Sequence, residues 1–347
     1  MDTVIKAGSE SKWKRNSMLI ACNFNMNCNF KCSYCFNQNT RKNFNEQLSQ
    51  KALHNLFSNL PLLKKDFYSF AIAGGEPSLY EYFPDMLKYI NEFFSPENYT
   101  VFMATNGSLL HRLEDHLKEY PELNFHLAIS MHLEQMDAET YLKKFSQFKF
   151  PNMCRIKLML KPGTLAQAND IIEKAKSFGY ADFIIQPIII NSNVHPDYTD
   201  EEKLFFAHNP YPSNTALFNE YLNNGQTVKK DFTKEEFVLN PELVNYSGLQ
   251  CLAGHSSMRV FADGSIAPCH FHKRAPDFNL NMHSLLEYIY ISTDYMHIHI
   301  LRLSWLYCYS QVESRICGRA ELPKKRTNQF PVKGGKNAAY TSSFQRK

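Results

Sequence analysis

Short apolar segments alternate with amphipathic segments between about residues 17 and 190, and this alternation limits most strongly what the chain can fold into. Short apolar runs that end in turn-forming residues are typical of buried strands, and apolar residues three and four positions apart are typical of helices. Strands that alternate with helices pair in parallel through right-handed crossovers. The predicted strands are Met18–Cys22, Phe67–Ala73, Tyr99–Thr105, Asn124–Ser130, Cys154–Leu160 and Phe183–Ile190.

The segments between these strands carry helix signals. Ser49 is placed to cap a helix whose apolar face includes Leu53 and Leu56. Pro84 lies where the first turn of a helix tolerates proline, and Gly179 lies where a helix commonly ends. Six strands with their helices predict an α/β fold, a partial (β/α)6 barrel of the TIM type, whose chemistry lies at the carboxyl ends of the strands.

Length and composition set the class of protein. The 347 residues, 44% of them apolar, suffice for one large domain with a smaller appendage. The formal net charge of +4 is small and does not by itself indicate a nucleic-acid or membrane partner. Residues 1–16 are basic without the apolar core of a secretory signal, and no apolar stretch reaches the length of a membrane span. We therefore expect a cytoplasmic protein.

Three of the nine cysteines, Cys28, Cys32 and Cys35, fall within eight residues directly after the first predicted strand. Three thiolates on one loop can ligate three irons of a [4Fe–4S] cluster and leave the fourth iron open for another ligand. A structural zinc loop is the alternative, but zinc usually takes four ligands in two closely spaced pairs. The spacing thus favours an iron–sulfur cluster. Cys22 and Cys154 lie within predicted strands, where we expect them to pack as small apolar side chains.

This segment resembles the signature of the radical S-adenosylmethionine (radical SAM) superfamily, in which an aromatic residue, here Tyr34, precedes the last cysteine. The resemblance implies that the open iron chelates the amino and carboxylate groups of S-adenosylmethionine, and that an electron from the cluster breaks a C–S bond. It also implies that methionine and a 5′-deoxyadenosyl radical form, and that the radical abstracts hydrogen from a substrate. An electron donor such as flavodoxin or ferredoxin is then expected.

Gly74, Gly75 and Glu76 follow the second predicted strand. Glycines allow the backbone to approach a ligand closely, and a carboxylate can accept a hydrogen bond from an ammonium group. In the resembled family such a motif contacts the amino group of the methionine moiety. The same residues, followed by proline, are also common in ordinary turns, which is the alternative interpretation. The position of the motif, after the second strand and behind the cysteine loop, favours the functional interpretation.

Later strand ends supply further candidate cofactor contacts. Asn106 lies in a Thr-Asn-Gly segment that the family often places beside the cofactor. The alternative is an ordinary turn without a ligand, because Asn-Gly is a turn signal in any protein. Ser130 resembles the family's contact to ribose and carboxylate, and His132 and Gln186 are further candidates. Arg155 is expected to meet the cofactor carboxylate or a substrate acid if it faces the barrel interior, with a surface position as the alternative. No catalytic residue is assigned.

A second cysteine group flanks a hairpin signal near the end of the chain. Asp263-Gly264 lies between two apolar runs, with Cys251 before and Cys269 after them. This block resembles the start of the SPASM or twitch extension of radical SAM enzymes, whose cysteines begin an auxiliary iron–sulfur cluster. With Cys308 and Cys317, the chain has enough cysteines for one such second cluster. A small β-rich cap with incidental cysteines is the alternative.

The sequence predicts four parts: an N-terminal extension (1–16), a radical SAM core (17–235), a SPASM/twitch-like extension (236–317) and a basic flexible tail (318–347). Residues 191–245 are expected to form loops and short helices that bridge the core to the second unit. The predicted function is that of a radical SAM oxidoreductase acting on a peptide, a protein residue or a small metabolite. Two alternatives are a non-enzymatic iron–sulfur or zinc protein that transfers electrons or binds a partner, and a radical enzyme acting on RNA.

Overall fold

The computed structural model describes nine segments of the chain: residues 4–9, 16–35, 45–190, 193–208, 215–222, 227–233, 257–267, 279–281 and 285. In strands 4–9, 215–222 and 227–233 the description covers the backbone. No helix in the described segments has the length and apolarity needed to cross a lipid bilayer.

Strands and α-helices follow one another regularly through the central part of the chain. The strands are β1 Val4–Ser9, β2 Ser17–Asn23, β3 Phe67–Ala73, β4 Tyr99–Thr105, β5 Phe125–Met131, β6 Cys154–Leu160, β7 Asp182–Pro187, β8 Ile189–Ile190, β9 Asn193–Val194, β10 Thr215–Leu222, β11 Thr227–Thr233, β12 Ser257–Val260 and β13 Ile266–Ala267. The helices are α1 Gln50–Asn59, α2 Phe83–Phe93, α3 Leu110–Glu119, α4 Ala138–Gln147, α5 Leu165–Ser177 and α6 Asp200–Ala207.

One eight-stranded sheet forms the centre of the fold, in the order β13-β12-β2-β3-β4-β5-β6-β7. Strands β2 to β7 pair in parallel in chain order, each connected to the next by a segment that contains a helix. Within the described residues β13 and β7 do not pair with each other, so the sheet is not closed. The structure thus confirms the predicted α/β class and the partial barrel.

Alternate residues of the strands are buried against the helices. In β5, Phe125, Leu127 and Ile129 are buried and share one core cluster with Tyr141 and Phe145 of α4. Burying each large apolar side chain contributes about 1.5–3 kcal/mol to stability. The intervening residues of the strands lie on the opposite face of the sheet, because side chains alternate along a strand. That second face is available to line a site.

Helix α1 begins as the sequence predicts. Ser49 is its N-cap, and the Ser49 hydroxyl accepts a hydrogen bond of 3.2 Å from the Ala52 N–H. The same hydroxyl donates to Asn281 Oδ1, beyond the C-terminal hairpin. One serine therefore satisfies the helix end and also links a distant part of the chain to the core.

The Asp263-Gly264 turn joins two antiparallel strands, β12 and β13, as predicted. Asp263 Oδ1 accepts hydrogen bonds from the N–H and the hydroxyl of Ser265, at 2.9 and 2.5 Å. The sequence did not predict where this hairpin attaches. Strand β12 pairs in parallel with β2, with Val260 opposite Cys22, so the hairpin extends the core sheet.

The expectation of loops and short helices over 191–245 is wrong in part. Strands β10 and β11 pair antiparallel there, and β1, within the predicted N-terminal extension, pairs with β10. Strands β8 and β9 form a further short pair, and α6 is a short helix of the expected kind. Asn224-Gly225 between β10 and β11 is itself a hairpin signal, which the proline and asparagine content of the region obscured.

We predict that Ser49→Ala lowers the stability of the protein, because the substitution removes the cap of α1 and the link to Asn281. Loss of an N-cap costs about 0.5–2 kcal/mol. The melting temperature of the variant should therefore be lower than that of the wild type. Ser177→Ala is the control, since the Ser177 hydroxyl bonds within the exposed end of α5. Equal melting temperatures for all three proteins would contradict the prediction.

Candidate active site

The cysteine loop follows β2 at the carboxyl end of the parallel strands. Cys32 is buried, whereas Cys28 and Cys35 are partly exposed, and none of the three forms a disulfide bond within the described residues. The Cys35 N–H donates to the Cys32 carbonyl at 3.2 Å, which closes a turn around Tyr34. The loop therefore lies at the edge of the sheet where the sequence predicts the chemistry.

The number of thiols on this loop suits a cluster better than a zinc ion, because zinc usually takes four ligands. Among the described residues, no three His, Cys, Asp or Glu side chains converge on one point where an ion could be held. A zinc site requires its ligands around one ion. A [4Fe–4S] cluster takes each thiolate on a separate iron, so three thiols along one loop suit it.

Cys22 and Cys154 lie within β2 and β6, with their side chains in the core. Burial raises the pKa of both thiols, that of Cys154 to about 12. At neutral pH they are therefore protonated thiols that pack as small apolar groups, in agreement with the prediction.

The loop after β3 lies directly against the cysteine loop. A Cβ atom on Gly74 would be 2.4 Å from Asn25 O, and one on Gly75 would be 2.0 Å from Asn27 O. The Gly75 N–H donates to Asn25 O at 3.0 Å, and the Glu76 N–H donates to Asn27 O at 2.7 Å. The glycines thus permit two segments of the protein backbone to approach each other closely. The sequence predicts instead that they allow the backbone to approach a ligand.

The carboxylate of Glu76 is buried and accepts four hydrogen bonds. Its Oε1 accepts from the Ser78 N–H at 3.1 Å, the Ser78 hydroxyl at 2.6 Å and the Thr105 hydroxyl at 2.8 Å. Its Oε2 accepts from the Asn106 N–H at 2.7 Å. Burial raises the pKa of Glu76, and the hydrogen bonds from Asn106, Ser78 and Thr105 oppose that shift.

Asn106 connects the end of β4 to the cysteine loop. Its Nδ2 donates to Asn29 Oδ1 at 2.9 Å and lies 3.9 Å from Cys28 Sγ. Its Oδ1 accepts from the N–H and the hydroxyl of Ser108, at 2.9 and 2.6 Å. The Thr-Asn-Gly segment is therefore a turn, and the same asparagine also holds the loop that carries Cys28.

Tyr141 holds two strand ends together, a role that the sequence did not reveal. Its side chain is fully buried, and its hydroxyl donates to Asn106 O at 3.0 Å. The same hydroxyl accepts from the His132 N–H at 3.0 Å. The sequence pattern placed Tyr141 on the apolar face of a helix, which is correct for the ring and says nothing of the hydroxyl.

His132 lies beside the aromatic residue of the cysteine motif. Its Nδ1 is 3.0 Å from the Tyr34 hydroxyl, and its ring contacts the rings of Phe30 and Tyr34 at centroid distances of 6.3 and 5.7 Å. Burial lowers the pKa of His132 to about 4. The imidazole is therefore neutral at pH 7 and accepts or donates according to its tautomer.

The loop after β5 also binds the backbone of the cysteine loop. Glu134 Oε2 accepts from the Ser33 N–H at 2.8 Å, and Gln135 Oε1 accepts from the Lys31 N–H at 2.9 Å. Neither residue was singled out in the sequence, because nothing local marks a side chain that accepts from a loop a hundred residues away. The cysteine loop is therefore bonded to the loops after β3, β4 and β5.

The remaining candidates fall into two groups. Ser130 is the penultimate residue of β5 and lies on the face opposite the helix-packed core, near the carboxyl edge. Gln186 occupies the corresponding place in β7. Arg155 lies near the amino end of β6, where its Nε donates to Asp182 Oδ2 at 2.7 Å. Five residues at about 3.3 Å each separate Arg155 from the end of its strand, so the structure does not bring it to the cysteine loop.

A cavity of about 460 Å³ opens beside the cysteine loop, at the ends of β5, β6 and β7. Its volume is within the range of small-molecule sites. Both charge signs occur in its lining, which includes Tyr34, Glu134, Lys161, His195 and Asp197.

The predicted ligands of the auxiliary cluster form the second cysteine group. Cys251, Cys269, Cys308 and Cys317 all lie outside the described residues. The auxiliary cluster therefore stays a prediction, and so does its SPASM or twitch character.

Comparison with known proteins identifies the family. The family model of the radical SAM superfamily matches residues 22–207, more than half of the chain. This stretch contains the cysteine loop and the loops after β3, β4 and β5. No curated protein matches the chain.

Solved structures match this chain at low sequence identity. The crystal structure of Streptococcus suis SuiB bound to the precursor peptide SuiA matches with a TM-score of 0.50 and 17% identity. That match covers 79% of this chain and 64% of SuiB, so the chain spans less than two thirds of SuiB. Native anSMEcpe with bound AdoMet matches with a TM-score of 0.49 and 17% identity, over 78% of this chain and 80% of anSMEcpe. At these identities the likeness concerns the fold.

We predict that Gly75→Ala displaces the cysteine loop, because the new Cβ would overlap Asn27 O at 2.0 Å and backbone cannot move aside cheaply. Gly163→Ala is the matched control, since Gly163 has a φ of +80° and no atom within 4 Å of its Cβ position. The control should lose about 1–2 kcal/mol from backbone strain alone. Gly75→Ala should lose more stability and also bind less iron on reconstitution. An equal iron content in both variants would contradict this.

We predict that His132 makes stability depend on pH. A histidine has a pKa of about 6.5 in an unfolded chain, so the unfolded state binds a proton that the folded state does not. This contribution to stability is complete above about pH 6.5 and is lost as the pH falls from about 6.5 towards 4. At pH 5.5 the loss should be about 1.4 kcal/mol. Anaerobic thermal unfolding should show that the advantage of wild type over His132→Gln shrinks between pH 7.5 and 5.5, and a constant difference would contradict the assignment.

Proposed function

This chain belongs to the radical SAM superfamily, and on that premise we propose that Cys28, Cys32 and Cys35 hold the [4Fe–4S] cluster of a radical SAM enzyme. The family uses such a cluster together with S-adenosylmethionine, so the chain is an S-adenosylmethionine-dependent radical enzyme. One observation carries the assignment of the site: the loop with these three cysteines is hydrogen-bonded to the loops after β3, β4 and β5.

If held by Cys28, Cys32 and Cys35, the cluster would supply the electron for cleavage of a C–S bond of S-adenosylmethionine, and the radical chemistry that follows would act on a hydrogen of the substrate. The protein's task is to position the reactants and to exclude water. Phe30 and Tyr34 each pack against the neutral ring of His132, which places three rings beside the cysteine loop.

We further propose that the cofactor is surrounded by groups at the carboxyl edge of the sheet. Gly74, Gly75 and Glu76 border the cysteine loop on one side, and Asn106 and Ser130 lie at the ends of the next two strands. Arg155 is not part of this proposal, because it lies near the other end of its strand.

We propose that the adenosyl group of the cofactor binds in the cavity beside Tyr34. Its volume of about 460 Å³ suits a nucleoside-sized molecule, and Ile188, which follows the strand end carrying Gln186, lines it. The substrate would approach from the open face of the sheet. Because a solved structure of this fold, that of SuiB, holds a precursor peptide, we propose peptides as the first substrate class to test, before protein residues and small metabolites.

We propose that the core extends over residues 17–235 and a SPASM/twitch-like extension over 236–317. The family match to 22–207 supports the first part. The second rests on the sequence resemblance and on the hairpin β12–β13, which adds to the core sheet. An electron donor such as flavodoxin or ferredoxin would reduce the cluster.

We predict that replacing Cys28, Cys32 and Cys35 together with alanine abolishes the formation of 5′-deoxyadenosine, because a methyl group cannot ligate iron. The assay is anaerobic reconstitution with iron and sulfide, followed by S-adenosylmethionine and dithionite. The triple variant should bind about four irons fewer than the wild type, the content of one cubane cluster. Any iron that remains would measure the predicted cluster of Cys251, Cys269, Cys308 and Cys317.

Cys154→Ala is the matched control for this experiment. It also removes a cysteine from the region of the family match, but its thiol is buried in β6 and has no place in the cysteine loop. The control should keep the iron content and the cleavage activity of the wild type. Formation of 5′-deoxyadenosine by the triple variant, or an equal loss of iron in the control, would overturn the assignment.

A further inference from the structure

The Glu76 carboxylate lies where three loops meet, and its surroundings differ from those of a side chain that faces a ligand. The residue is 1% exposed. All four hydrogen bonds to its oxygens come from protein groups on two segments, its own turn at Ser78 and the end of β4 at Thr105 and Asn106. An incoming amino group would therefore need to displace a donor or open the loops.

The four donors are neutral N–H and hydroxyl groups. Among the described residues, the ion pairs do not include Glu76. Hydrogen bonds from neutral donors stabilise a buried carboxylate in its ionised form. The Thr105 hydroxyl also accepts from the Gly107 N–H at 3.1 Å, which directs its own proton towards Glu76. Within the described residues, four neutral donors thus bind the carboxylate oxygens.

The backbone N–H and carbonyl of Glu76 are also hydrogen-bonded to neighbouring residues. The Glu76 N–H donates to Asn27 O at 2.7 Å, and the Glu76 carbonyl accepts from Asn25 Nδ2 at 3.0 Å. Asn25 Oδ1, in contrast, is buried and has no hydrogen-bond partner among the described residues. The acceptor left open at this junction is therefore on Asn25 and not on the carboxylate of Glu76.

Through Asn106, the carboxylate acts on the cysteine loop. It fixes the backbone N–H of Asn106, whose side chain bonds Asn29 and lies 3.9 Å from Cys28 Sγ. A chain of hydrogen bonds thus runs from the loop after β3, through the loop after β4, to the loop after β2. A change at Glu76 would therefore act on the part of the loop that carries Cys28 and Asn29.

We infer that Glu76 is a positioning residue that fixes the cysteine loop through Thr105 and Asn106, and that its carboxylate does not contact the amino group of S-adenosylmethionine. This inference rests on the proposed function, since it assumes that the cysteine loop holds the cluster and the cofactor. It differs from the role that the sequence resemblance implies for Glu76, which is a direct hydrogen bond to that amino group.

The experiment measures the binding of two ligands to anaerobic, reconstituted holoenzyme by calorimetry. One ligand is S-adenosylhomocysteine, and the other is its analogue with hydrogen in place of the amino group. Glu76→Gln keeps the shape of the side chain but replaces one oxygen by an NH2 group, which faces a donor. A positioning role predicts that Glu76→Gln weakens both ligands by the same factor, within about twofold, and a direct contact predicts a loss of about tenfold or more for the amino-bearing ligand alone.

A second measurement requires no ligand. If Glu76 positions the loops, Thr105→Val and Glu76→Gln should each lower the melting temperature of the holoenzyme by about 4 °C or more, and the double variant should lose less than the sum. Thr100→Val, on the same strand β4, is the matched control and should show no coupling to Glu76. Additive losses for Glu76 and Thr105, or a ligand-selective loss of affinity, would overturn the inference.

Two outcomes separate this inference from the proposed function. If the wild-type holoenzyme binds neither ligand, the proposed function fails, whereas the coupling between Glu76 and Thr105 still tests the positioning role. If Glu76→Gln does not fold, Thr105→Val and Ser78→Ala replace it in the calorimetric experiment, since each removes donors to the carboxylate. Equal weakening of the two ligands then supports the inference, and unchanged affinity for both overturns it.

Discussion

Parallel pairing of β2 to β7 in chain order is the constraint on which the rest of this structure depends. It sends every loop that follows a strand to the same edge of the sheet. At that edge, the loops after β2 and β3 approach so closely that a side chain at Gly74 or Gly75 would overlap backbone atoms. The hydrogen bonds of Glu76, Asn106 and Tyr141 then connect loops that the strand register has already brought together.

Local signals in the sequence predicted much of this arrangement. The first five core strands, the cap at Ser49 and the turn at Asp263-Gly264 each depend on residues that are neighbours along the chain, and the structure confirms them. The predicted sixth strand, Phe183–Ile190, is correct only up to Pro187, because Ile189–Ile190 forms the separate strand β8. The candidate loops after the first four core strands also lie together, because parallel topology follows from the alternation of strands and helices. Fold class and the position of the site could therefore be predicted.

What the sequence could not predict depends on pairs of residues that are far apart along the chain. The acceptors on Glu134 and Gln135 bond to the cysteine loop, and the hydroxyl of Tyr141 joins two strand ends, but none of them carries a local signal. The pairing of β12 with β2 could not be predicted either, because the alternation of strands and helices does not determine which strand a late hairpin pairs with. Glu76 was found by its motif, yet the partners of its carboxylate became visible only in three dimensions.

The pairing of β12 with β2 has a consequence for how the chain folds. During synthesis, residues 17–187 can form their six parallel strands long before Ser257 leaves the ribosome, and until then β2 is an open edge of the sheet. An exposed edge with unpaired N–H and C=O groups is a template for pairing with other chains. The nascent core is therefore exposed to such pairing until the hairpin arrives, and in the completed chain β12 covers this edge beside Ile20 and Cys22.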